Sequence, residues 1–146
     1  MILHQGQVWA RHVEYAVKWH ERMRGLLGRT ALGDDAALVI KRCGSVHTLG
    51  MKFAIDLVFV DKANRIVKIK GDVRPGHFCV WGGWHAMHVI ESESGKLNLN
   101  TLKIGDTLEM RPAQSGVYAM CGYAATFRKT RRTADWMKEL REGEEE

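Results

Sequence analysis

No apolar run in the 146 residues approaches the ~18 that cross a membrane, and Met1–Gln7 lacks the basic start and continuous apolar stretch of a secretory signal. The expectation is a soluble protein of the cytoplasm. Cysteine is scarce: Cys43, Cys79 and Cys121 are odd in number and widely spaced, which fits neither a disulfide framework nor a paired CxxC zinc site. Reduced thiols are expected. Internal repeats, low-complexity tracts and any linker before Pro112 are missing. So are a phosphate loop, a dinucleotide fingerprint and a GxSxG elbow, which leaves nucleotide and serine-hydrolase chemistry without a motif.

What is present is the composition of one globular domain, 45% hydrophobic and 27% charged, able to bury roughly 70% of its unfolded surface. The net charge of +5 is unevenly placed, since residues 1–111 hold 16 Lys/Arg against 11 Asp/Glu while residues 112–146 hold six of each. A basic body suits an acidic partner, so weak nucleic-acid binding through basic residues is one reading. The division expected is a compact β-rich domain over 1–111 and an extension over 112–146, partly helical with a disordered acidic end. In that extension Arg128–Arg132 forms a basic block beside Glu142 and Glu144–Glu146, and Ala134, Met137 and Leu140 share a helical face beside Trp136.

Along the body, Gln7–Val17 reads as strand material, after which Trp19, Met23 and Leu26 recur at helical spacing. The short amphipathic helix so predicted ends at Gly25-Leu-Leu-Gly28. Further strands are expected at Ala37–Lys41, Ala54–Val60, Arg65–Lys70, Phe78–Trp81, Met87–Glu91 and Thr107–Met110, separated by turn chemistry at Asp61–Asn64, Arg74–Gly76, Gly82–Gly83 and Gly105–Asp106. Many short strands and one early helix imply an α+β domain built on a mainly antiparallel, barrel-like sheet with a C-terminal helical tail.

One residue breaks the apolar run Phe53–Val60. On an extended strand Asp56 shares its face with Val58 and Val60, so its carboxylate projects into packing. Left unpaired and ionised there, it would cost several kcal/mol, at an order of magnitude. The expected role is a structural clasp, with donors from Arg22 or Arg24 on the helix or from backbone N–H groups of the Thr48–Gly50 turn. The alternative makes Asp56 an acid or base acting with His47.

"ERMRGLLGR" (Glu21–Arg29), "SVHTLGMKFAIDLVFVD" (Ser45–Asp61) and the later Gly-Asp turn before a final strand resemble the bacterial and archaeal family called domain of unknown function 192, over about residues 7–111. Arg22 and Gly25-Leu26-Leu27 match its Arg plus Gly-Leu-(Met/Leu) element, and Met51 with Ala54-Ile55-Asp56 matches its Met before a (Pro/Ala)-(Ile/Leu)-Asp strand. Ala54 stands where the family often has proline, and Ile90–Gly95 replaces a more apolar Leu-Glu-Leu-Pro-Ala-Gly element. The resemblance implies a compact β-rich fold and no established reaction, with Arg22, Gly25, Met51 and Asp56 as structural motif residues.

Other constellations are weaker. His85 and His88 lie three apart, which on a strand sends them to opposite faces, so no metal and no cofactor is expected. Cys43 and His47 share strand parity and form a conceivable nucleophile pair, but Gly44 and Ser45 mark a bend and no third member is evident. Phe78, Trp81 and Trp84 around Gly82-Gly83 form either a stacking platform for a base, sugar or peptide, or ordinary core packing. The function these readings favour is a non-enzymatic ligand- or partner-binding accessory module, with recognition at His47, Trp81 and Trp84. The alternative is a small hydrolase-like enzyme using Asp56 and His47 in acid-base roles.

Overall fold

In the computed structural model, which describes residues 1–111, the elements run in chain order as β1 (Ile2–His4), β2 (Gln7–Ala10), β3 (His12–Ala16), α1 (Trp19–Arg24), β4 (Ala36–Lys41), β5 (Ser45–Val46), β6 (Ile55–Val60), β7 (Ile66–Val73), β8 (Val80–Trp81), β9 (His88–Glu93), a single 3-10 turn (Leu99–Thr101) and β10 (Leu108–Met110). They form three sheets: a five-stranded one in the order β3-β4-β9-β6-β7, a three-stranded one in the order β10-β1-β2, and the pair β5-β8. Every pairing is antiparallel except β3 with β4. The sheet is therefore mainly antiparallel, as expected, but it is not a barrel. The five-stranded sheet stays open at β3 and β7, and two separate cores cover its faces.

Alternation on the central strands produces those two cores. Val58 and Val60 of β6, Ala37 and Val39 of β4 and Ile90 of β9 face one side, where they pack with Ile2, Trp9, Ala10 and Leu108 from the three-stranded sheet. Ile55, Leu57 and Phe59 of β6, Leu38 and Ile40 of β4 and Val89 of β9 face the other, against Leu26, Val46, Met51 and Val80. Every residue of β6 is buried, which accounts for a strand apolar on both parities. Each large aliphatic side chain so buried contributes about 1.5–3 kcal/mol.

Several local expectations are corrected. Gln7–Val17 is two strands, because after Ala10 the chain leaves the small sheet and β3 enters the large one. The Phe78–Trp81 strand shrinks to two residues, leaving Phe78 83% exposed. The apolar helical face does not form either. α1 has only six residues, Trp19 and Met23 are each 68% exposed, and Leu26, buried at 1%, lies past the helix end. A helix of under two turns has no room for a buried stripe, so the contact falls to the residue after the cap. The helical tail, with Arg128–Arg132, Ala134, Trp136, Met137, Leu140 and Cys121, lies outside the described residues. Among the described residues no helix is long and apolar enough to cross a membrane.

Candidate functional site

Two carboxylates are buried in the large sheet, and they are satisfied differently. Asp56, 4% exposed, stands where β7 bulges: Ile55 pairs with Val73 and Leu57 with Lys70, so two β7 residues oppose one on β6. The bulge turns the Asp72 N–H inward with Asp72 at φ 51°, and this N–H donates to Asp56 Oδ1 at 2.8 Å. Ser94 Oγ donates to the same oxygen at 3.1 Å, and the Gly95 N–H donates to Oδ2 at 3.0 Å. The donors to Asp56 thus come from β7 and the turn after β9, where α1 or the Thr48–Gly50 turn was expected. Thr48 is itself buried, but its hydroxyl donates to Arg74 O and accepts from the His77 N–H.

Glu91 is the second carboxylate. On β9 it stands between Leu38 of β4 and Leu57 of β6, and it shares parity with Val89 on the face that carries α1. It is 4% exposed, and its Oε2 has no hydrogen-bond partner among the described residues. Burial pushes its pKa up to about 7, with Arg29 pulling the other way. An acidic side chain between two leucines, without a donor for one oxygen, is costly to keep.

The end of α1 passes close to Glu91. Glu21 Oε2 accepts from the Val17 and Lys18 N–H groups at 3.1 and 3.0 Å and starts α1. Gly25 stops it at φ 48°, ψ −127°, a conformation that suits glycine, and a Cβ there would lie 3.6 Å from Glu91 Oε2. Between α1 and the sheet lies a cavity of about 370 Å³, with Glu91 in its lining beside Ile40, Leu26, Val46 and Met51. Arg22, Arg24, Arg42, Cys43 and His47 also line it. Arg22 Nη1 donates to Lys41 O at 3.4 Å, and neither Arg22 nor Arg42 forms an ion pair among the described residues.

This cavity gathers several residues singled out in the sequence: Arg22, Gly25, Met51 and His47 all line it. Asp56 does not. It lines a separate pocket with Gly71, Asp72, Ser94 and Gly95 on the opposite face, so His47 and Asp56 share no cleft. Cys43 Sγ donates to Ser45 O at 2.9 Å, and burial raises its pKa. Trp81 and Trp84 are 48% and 91% exposed and meet edge to face at 5.3 Å between centroids. Trp81 pairs with Ser45, which brings β8 beside the strand that leads to His47. His88 Nδ1 accepts from the Arg42 N–H at 3.0 Å, and among the described residues no three His, Cys, Asp or Glu side chains are grouped to hold a metal.

Glu91 is the residue that the sequence reading missed, because it fell at the end of an expected strand. Its signal was parity: if the strand continues past Ile90, Glu91 follows Val89 onto an apolar face. Within the element Leu-Glu-Leu-Pro-Ala-Gly, the positions where Ile90–Gly95 agrees are Glu91 and Gly95, and these are the cavity carboxylate and a donor to Asp56.

The chain is 28% identical over 109 residues to a UPF0127 protein of Thermococcus sibiricus, covering 72% of this chain and 70% of that one. Its fold matches a crystal structure of a protein of unknown function from Novosphingobium aromaticivorans, with a TM-score of 0.61 and 23% identity over 67% of this chain and 74% of the other. A second crystal structure, from Sinorhizobium meliloti and provisionally described as a transcription regulator, matches with a TM-score of 0.60 and 21% identity over 66% and 79% of the two chains. Residues 2–110 match the profile of DUF192, Uncharacterized ACR, and the chain belongs to that family.

Proposed function

We propose that the 1–111 unit is a non-enzymatic binding module whose small-molecule ligand seats in the cavity beneath α1, with residues 112–146 as an extension to it. One observation carries this reading: Glu91, buried and with no donor to its Oε2 among the described residues, is in the lining of a cavity of ligand size. A ligand donor at this carboxylate would lower the cost of keeping it.

The separation of His47 from Asp56 speaks against the acid-base pairing, which needs both groups within reach of one substrate. Asp56 already accepts three hydrogen bonds and has the surroundings of a clasp. A second reading, docking of a protein or nucleic-acid partner, rests on Phe78 and Trp84 at 83% and 91% exposure and on the basic excess of the body.

The test is a fragment screen on the full chain, read by amide shifts. Ligands that move Gly25, Leu26 and Val46 together support the cavity. A screen in which hits move only Trp81 and Trp84 would shift the assignment to the aromatic surface.

A further inference from the structure

The lining of the cavity carries both signs of charge. A carboxylate with an unpartnered oxygen lies among apolar side chains, while Arg22 and Arg42 carry guanidinium groups with no carboxylate partner among the described residues. The opposite charges lie in one lining and yet do not pair with each other. Arg22 bonds instead to a backbone carbonyl, and Arg42 is exposed with its backbone N–H on His88.

A purely cationic ligand would satisfy Glu91 and face three arginines, Arg22, Arg24 and Arg42. A purely anionic one would satisfy the arginines and lie against a buried carboxylate. Both leave one end unmatched, and unmatched charge in a confined site is costly. Leu26, Leu27, Ile40, Val46 and Met51 make much of the remaining lining apolar, so an apolar ligand body is favoured, with Ser45 and His47 as further polar groups.

Building on the binding-module reading, we propose that the cavity takes an amphoteric small molecule of the amino-acid class, its ammonium group donating to Glu91 and its carboxylate held by Arg22 and Arg42. Gly25 is then a positioning residue. A Cβ there would lie 3.6 Å from Glu91 Oε2, so a side chain at this position would pack directly on the carboxylate.

The experiment is calorimetric titration of the full chain with L-leucine and with ε-aminocaproate, each compared with the same skeleton lacking the carboxylate or lacking the amine. At least one zwitterion is expected to bind at least about tenfold more tightly than either truncated form, since each lost charged contact leaves a group unmatched. Glu91→Gln should abolish the preference for the amine while the acid is unaffected, and Arg42→Gln should weaken zwitterion and acid but leave the amine unchanged. Circular dichroism of both variants shows whether each is folded.

If the acid binds as tightly as the zwitterion and Glu91→Gln changes nothing, the ligand class is wrong. If no amine-bearing probe binds while neutral or anionic fragments still move Gly25, Leu26 and Val46, the class is again wrong but the binding module stands. If nothing moves those amides, both readings fall.

Discussion

Asp56 and Glu91 sit on neighbouring strands one residue out of step, Asp56 opposite Ser92 and Leu57 opposite Glu91, and their carboxylates enter opposite layers of the protein. One accepts three hydrogen bonds, and the other leaves an oxygen with none among the described residues. Similar burial of the same functional group thus leads to different roles. The first fits an element that holds strands together, and the second fits one that waits for a donor.

Asp56→Ala should destabilise the protein by about 3–5 kcal/mol, because it strands the inward N–H groups of Asp72 and Gly95. Asp56→Asn keeps an acceptor oxygen and should cost less. Urea unfolding at neutral pH measures both. An alanine variant as stable as the parent would remove the clasp.

Gly82 lies against the Phe59 ring so closely that a Cβ would collide with it, and would approach Ala86 Cβ to 2.7 Å. Gly82→Ala should therefore cost about 1–3 kcal/mol by overpacking. Adding Phe59→Leu should recover part of that loss, and a double-mutant cycle checks it through a non-zero coupling between the two sites.

Thiol labelling separates the cysteines. Cys43 is half-buried with a raised pKa and donates to Ser45 O, whereas Cys79 is exposed. In a Cys121→Ser background Cys79 should react with iodoacetamide well before Cys43, since the thiolate is the reactive form. Faster modification of Cys43 would revive it as a nucleophile paired with His47.

Much of the sheet was legible because β4, β6 and β7 announce themselves by β-branched and apolar residues between turn signals, and the facing of Ile55 against Asp56 followed from parity alone. Closure was not legible. Short strands with many turns suit a barrel or stacked open sheets equally well, and the parallel pairing of β3 with β4 depends on distant segments. The donors to Asp56 were misread for a related reason, since the β7 bulge that turns the Asp72 N–H inward is a register shift between strands and leaves no local pattern. The helical face failed on length: Trp19 and Met23 have the right spacing, but six residues end before a stripe can be buried.

The most direct test of the central claim is the unfolding free energy of Glu91→Gln against the parent across pH. Arg22, Arg24 and Gly25 from α1 and its cap, Arg29 beyond it, and Arg42, Cys43 and His47 before and after β5 surround or approach this group. Its folded pKa is about 7 against an ordinary 4.5, so below about pH 4.5 it is neutral in both states and carries no penalty. As pH rises through 4.5 toward 7 the unfolded chain ionises first, and the parent loses up to about 3 kcal/mol. The loss is complete above the folded pKa. Glu91→Gln should match the parent in acid and be the more stable protein at pH 8. A variant several kcal/mol less stable at pH 8 would mean that Glu91 is held by a structural partner, and the cavity would lose its claim as a binding site.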